Sequence, residues 1–364
     1  MSAINIVPGP TGTPFPPPRD WNLAGWRIAQ VANVVVTVTL VIGLVLWPEI
    51  TLRVMWNLLI PVLPASFLIA PQLWRGICPL ATLNQWSSGL LGRRQLGGRL
   101  LIAANALGIL LLVLLVPARR FLFNENGPAL AATIAILALA ALILGALFDG
   151  RAGFCNAVCP ILPVERFYGQ HPLLTLDNRR CDRCSLCITK GCLDLAPAKS
   201  FAQAIGPAVG RHRWLTTTYG IFAGALPGFI IGYFTTSNVS WTAAPGVYLW
   251  VALCSAGSYV ATTVVVRVLG LTGPVSLALL AALAVVLYYW WAAPLIAGLL
   301  FVPPAGAFVA RGAALALVAF WLVRAWPHFK ANRNSVPSSS GPARETQVAK
   351  SEEQTPSGEQ NKST

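Results

Sequence analysis

Eight long apolar runs divide the chain, and polar or Pro-rich segments separate them. The runs cover residues 26–47, 55–72, 100–117, 128–148, 214–236, 246–266, 274–300 and 305–324. A membrane helix needs about 20 mostly apolar residues, so each run predicts one transmembrane span. The second run is short and carries Pro61 and Pro64, which predicts a kinked or partly re-entrant segment. The seventh is long and is expected to break near Pro294. The fold class this predicts is an all-α polytopic membrane protein of about eight transmembrane helices.

The runs set the expected organisation. Residues 1–25 read as a Pro-rich disordered leader, and 26–148 as a four-span membrane half with a loop around Cys78. Residues 149–213 form a polar loop, 214–330 a second four-span half, and 331–364 a Ser-, Pro- and Gln-rich disordered tail. Within the loop, Val164–Gly169 reads as a short interfacial helix with Tyr168 at the headgroups. Trp74, Trp86, Trp214, Trp290 and Trp291 lie near run ends, where an aromatic belt is expected.

Composition agrees with a membrane protein. Of 364 residues, 55% are hydrophobic and 10% charged, against roughly 25% charged in soluble domains. The mean hydropathy is +0.64. A net charge of +14 on a soluble chain would raise nucleic acid as a partner; here it reports topology, and no nucleic-acid partner is expected. With both termini in the cytoplasm, 22 of the 26 Lys and Arg residues fall inside, and only Arg53, Arg119, Arg120 and Arg311 fall outside. The expected location is therefore a bacterial inner membrane, crossed several times, with both termini and the loop 150–213 in the cytoplasm. The runs hold no Asp, Glu, Lys or His, and their arginines are Arg311 and, at run ends, Arg27 and Arg324. Ion-coupled transport and a haem held by membrane histidines are accordingly disfavoured. Arg311 is expected to snorkel.

Seven of the eight cysteines lie in two polar loops on the face assigned to the cytoplasm. Their tight spacing and reducing compartment favour metal ligation over disulfides. The main signal is Cys181-Asp-Arg-Cys184-Ser-Leu-Cys187-Ile-Thr-Lys-Gly-Cys192, a C-x2-C-x2-C-x4-C pattern. Three thiolates two residues apart let one loop wrap three corners of a [4Fe-4S] cube, with a fourth thiolate closing it. Zinc sites more often pair two separated C-x2-C knuckles. The x4 spacer and Leu193 after the last Cys leave the fourth ligand open between Cys192 and a remote thiol. Two further elements follow spans: Cys155-Asn-Ala-Val-Cys159-Pro160, and Trp74-Arg-Gly-Ile-Cys78-Pro79, where Trp74 replaces the first Cys. Cys78, Cys155 and Cys159 could hold a second cluster, or Cys159 could cap the first. Whether there is one cluster or two stays open. Cys254 lies in a span and reads as a packed thiol.

These elements together resemble the membrane-bound 4Fe-4S polyferredoxins of the NapH, MauN and NosR type, across roughly residues 55–200. The resemblance implies Cys181, Cys184, Cys187 and Cys192 as cluster ligands, with Cys155 and Cys159 as conditional ones. It implies electron transfer from a quinol or a cytoplasmic donor to a membrane or periplasmic redox enzyme. The protein is then an electron-transfer component rather than a stand-alone enzyme. A quinone between helices would complete the route. Loop 150–213, with nine basic and four acidic residues, could steer an acidic ferredoxin or flavodoxin donor. Two other functions fit the same motifs: an assembly factor supplying electrons for another enzyme's biogenesis, and an iron–sulfur redox sensor.

Overall fold

The computed structural model describes residues 20–88, 90–92, 94, 96, 98–148, 153–175, 201, 205, 212–299 and 305–334. Among these residues the regular structure is helical, without a strand. Eight helices are long and apolar enough to cross a membrane: Ala24–Leu46, Pro48–Ile69, Arg99–Phe123, Gly127–Leu147, Thr218–Thr235, Trp241–Val268, Gly273–Leu299 and Ala305–Pro327. They coincide with the eight apolar runs, and several run past them into polar flanks. The leader ends sooner than expected, because α1 is Asp20–Leu46.

The second span is complete, not re-entrant: α2 (Pro48–Val54), a π-turn (Met55–Leu59) and α3 (Ile60–Ile69) follow one another. Its prolines are accommodated by a neighbour. The Tyr289 hydroxyl accepts the Ala65 N–H at 3.0 Å and donates to the Pro61 carbonyl at 2.7 Å, so it stands in for one rung of the helical ladder. Two short helices follow, α4 (Pro71–Ile77) and α5 (Pro79–Trp86). The third span is α6 (Gly98–Ala118) with a π-turn to Phe123, and the fourth is α7 (Gly127–Leu147). A short α8 (Leu162–Tyr168) precedes the last four spans: α9 (Thr218–Thr235), α10 (Ala244–Val268), α11 (Gly273–Leu299) and α12 (Ala305–Asn334).

Two expectations about spans 7 and 8 change. Helix α11 runs unbroken through Pro294. Proline has no N–H, so it leaves the Trp290 carbonyl without its helical donor. Arg311 Nε of α12 donates to that carbonyl at 2.9 Å, and its guanidinium stacks on the Trp290 ring at 4.5 Å. Arg311 thus repairs the proline gap as well as sitting near a helix end. Helix α12 also continues to Asn334, so the expected tail boundary at 331 falls within a helix.

Helix α9 carries glycines at every fourth position, Gly220, Gly224, Gly228 and Gly232. A Cβ at Gly228 would lie 2.0 Å from the Cys254 carbonyl oxygen of α10, and one at Gly232 3.0 Å from the Val251 Cα. Small residues allow this close helix approach within a bilayer. Cys254 sits in that seam, in keeping with a packed thiol. Outward faces stay apolar: Val35, Val38 and Val45 on α1, and Leu249, Leu253 and Val264 on α10, are all exposed.

Candidate functional site

Spans two and four descend to the same end of the bundle, and each ends in a Cys-Pro element. The first lies between α4 and α5. Cys78 has φ −53° and ψ 127°, the extended backbone that a following proline favours, and Pro79 then starts α5. Its carbonyl accepts the Thr82 N–H at 2.9 Å and the Thr82 hydroxyl at 3.0 Å. The last carbonyls of α4 are taken by amides from α1. Gln30 Nε2 donates to Gly76 O at 2.9 Å and Asn33 Nδ2 to Ile77 O at 2.7 Å. Those carbonyls would otherwise lack partners at a helix end. Gly76 lets the Trp26 ring pack close there, since a Cβ would lie 1.8 Å from that ring. Cys78 is consequently buried and its backbone fixed from both sides.

The second element follows α7. The Phe154 carbonyl accepts three N–H groups, from Ala157, Val158 and Cys159, at 3.0–3.1 Å. This turn carries Cys155 and Cys159, both half-buried, and Pro160 leads it into α8. It rests on α6 at Gly108, where a Cβ would stand 3.1 Å from the Cys159 carbonyl oxygen.

The two elements meet. Arg75 Nε donates to Glu165 Oε1 in an ion pair whose side chains are 10% and 7% exposed. Cys159 and Cys78 are close enough for their charges to interact. Burial pushes the Cys159 thiol up to about 12, with the neighbouring Cys78 thiol adding to this and Glu165 adding less. The N–H groups of Ile161 and Leu162 oppose the shift without cancelling it. Without a cation, Cys159 is therefore a neutral thiol beside a second thiol. Iron would invert this balance, since metal coordination takes thiolates.

A buried polar network lies on the helices beside the Cys159 turn. Arg166 is 3% exposed and donates to the Tyr219 hydroxyl at 3.2 Å and Asn105 Oδ1 at 3.5 Å; Tyr219 donates to the same oxygen at 3.3 Å. Asn105 lies one turn before Gly108, so one face of α6 meets both Arg166 and the Cys159 turn. The segment after α8 is tied down too. Leu173 and Leu174 N–H groups donate to the carbonyls of Leu68 and Ile69, Gln72 Nε2 donates to Leu174 O at 2.6 Å, and Trp321 Nε1 donates to His171 O at 2.6 Å. Tyr168 is 2% exposed, so the expected headgroup anchor is instead a core residue. Trp214 is likewise buried rather than part of a belt, while Trp86 and Trp290 are more than half exposed. Trp74 packs edge-on against Phe67 with ring centroids 5.9 Å apart.

Of the sequence-expected ligands, Cys78 and Cys159 lie on the two elements that the Arg75–Glu165 pair joins, and Cys155 lies on the same turn as Cys159. Among the described residues, no three His, Cys, Asp or Glu side chains gather as a metal-binding group. Cys181, Cys184, Cys187 and Cys192 lie outside the described residues, as do Asp149–Arg151 and Arg179–Arg183. Sequence reasoning missed Arg75, Gln30, Asn33 and Asn105. The available signal was the presence of amides inside apolar spans, where polar side chains need partners. Comparison with known proteins finds no matching family model and no significant match among curated proteins or solved structures.

Proposed function

We propose that the chain is a membrane-anchored electron-transfer protein whose carrier is a [4Fe-4S] cluster. The cluster supplies reversible one-electron storage when bound. Cys181, Cys184 and Cys187 would hold three corners, with Cys192 or Cys159 as the fourth. The observation that carries the reading is the seat formed by Cys78 and Cys159, two Cys-Pro elements from different spans held together by the Arg75–Glu165 pair. A thiol with a penalty against ionisation, such as Cys159, gains from a cationic core. The chain up to Leu174 is tied to the end of the second span by Gln72, and the cysteine run follows it in sequence. Backbone turns at Phe154 and Thr82 restrict both cysteines, of which Cys78 is buried and Cys159 half-buried. The seat offers two thiols, so a second cluster there would draw further ligands from Cys155 or from the 181–192 run.

By charge bias the cysteine-bearing end faces the cytoplasm of a bacterial cell and the opposite end faces outward. The partner would be a membrane or periplasmic redox enzyme. The donor would be quinol or an acidic ferredoxin or flavodoxin.

The test is electron paramagnetic resonance of anaerobically purified, dithionite-reduced protein, with iron and sulfide counted. A [4Fe-4S] signal that Cys184→Ser abolishes is the expected result. Colourless protein under argon, or protein with stoichiometric zinc, would refute the proposal. Spin counting in Cys78→Ser separates the remaining alternatives: a halved signal means two clusters, and an unchanged one means that Cys78 is no ligand.

A further inference from the structure

At the end of the bundle opposite the cysteines, α2, its π-turn and the turn after Phe123 enclose a cleft of about 480 Å3. Its charged lining is balanced, with Glu49 and Glu125 against Arg53 and Arg119, and Trp56 and Asn57 between them. Among the described residues, no ion pair joins these four charges. They face one space and do not neutralise each other by contact. Arg119 is held in place. Its guanidinium stacks on Trp56 at 4.6 Å, and Nη1 donates to the Tyr233 hydroxyl at 2.8 Å. Its Nε is buried without a partner.

We propose that this cleft binds a phosphoethanolamine group. The phosphate would be met by Arg53 and Arg119, and the ammonium by Glu49 and Glu125. A simple anion would meet two carboxylates and a simple cation two guanidiniums, so the balanced lining selects a ligand carrying both charges. Guanidiniums suit phosphate because they donate in pairs. The source can be a lipid headgroup or a soluble molecule. Trp47 and Ile50, beside the cleft, are 63% and 69% exposed, which suits the headgroup level of a bilayer. The inference is independent of the iron–sulfur reading.

The experiment uses the delipidated full chain in detergent and native mass spectrometry. Phosphatidylethanolamine, phosphatidylglycerol and free phosphoethanolamine are offered in turn. Arg53→Gln and Glu49→Gln are the variants; both residues are exposed, and their melting temperatures check the fold. Retention of phosphatidylethanolamine over phosphatidylglycerol, weakened about tenfold by either variant, is expected from loss of one charge-assisted contact. Competition by free phosphoethanolamine, with the same sensitivity to both variants, supports the site with a soluble source. Equal retention of the two lipids, binding indifferent to both variants, or no binding at all overturns the proposal.

Discussion

Glu165→Gln tests the central joint of the molecule. The Arg75–Glu165 pair connects the α4–α5 hook to α8, and so links the second span to the chain that follows the fourth. Its side chains are 10% and 7% exposed, so the pair is not screened as a surface pair would be. An exposed pair contributes about 0–1 kcal/mol, whereas removing one partner of a buried pair costs about 3–5 kcal/mol by leaving the other charge unmatched. Glu165→Gln keeps the shape and removes the charge, so the cost here is about 3 kcal/mol. Arg75→Met with Glu165→Gln removes both charges and should recover most of that loss. The assay is unfolding by a denaturing detergent, read by tryptophan fluorescence, for wild type, both single variants and the double variant. Burial holds the Cys159 thiol up and Glu165 adds a small part, so the same substitution should bring Cys159 down slightly and leave it well above the ordinary thiol range. A single-variant loss under about 1 kcal/mol, or a double variant as unstable as the two singles combined, would refute the argument.

Three other expectations follow from particular contacts. Gly76→Ala drives a Cβ into three atoms of the Trp26 ring and should cost about 1–3 kcal/mol, with Trp26→Leu restoring most of it in the same unfolding assay. Cluster-free Cys159 should resist maleimide until the pH approaches about 12, because only the thiolate reacts; Cys78→Ser should lower that midpoint. The same raised value stabilises the fold below the ordinary thiol pKa near 9, and that contribution should be lost as pH rises through about 12. Gly228→Ala places a Cβ 2.0 Å from a backbone oxygen of α10, and should lower the melting temperature more than Gly224→Ala, whose nearest contact is a Tyr259 ring atom at 3.0 Å.

The spans were legible because a bilayer imposes one length and one polarity on every crossing helix. Even the short second run belongs to a full-length helix, which reaches the required length by including Glu49 and Arg53 at the end away from the cysteines. The Cys-Pro elements were legible as motifs, but their meeting was not. It depends on Glu165 finding Arg75 across 90 residues of sequence, and on amides of α1 reaching carbonyls 44 and 46 residues away. No local pattern encodes such pairings. Pro294 misled for the same reason. Its local effect is to orphan a carbonyl, and the donor that satisfies that carbonyl comes from the next helix. Tyr168 and Trp214 were read as interfacial because they adjoin polar loops, yet both pack into the main hydrophobic core with residues of the spans.

The two ends of the bundle treat charge in opposite ways, and that asymmetry bears on function. At the cysteine end, Arg75 and Glu165 neutralise each other away from water, and Arg166 is held by Asn105 and Tyr219. Such an arrangement costs desolvation and fixes geometry, which suits a seat that must hold two thiols in one relation. At the other end, Glu49, Arg53 and Glu125 stay exposed around an open cleft, and their charges face a common space without contact. That arrangement leaves recognition available and rigidifies little. The length of the helices, about 30 Å for 20 residues, separates the two. Over that distance the screened outer charges exert almost no field on Cys159. Glu165→Gln should therefore alter thiol reactivity while leaving lipid retention unchanged, and Glu49→Gln should do the reverse. Cross-effects in either variant would mean that the bundle couples its two ends through the helices, by a shift in packing rather than through the field.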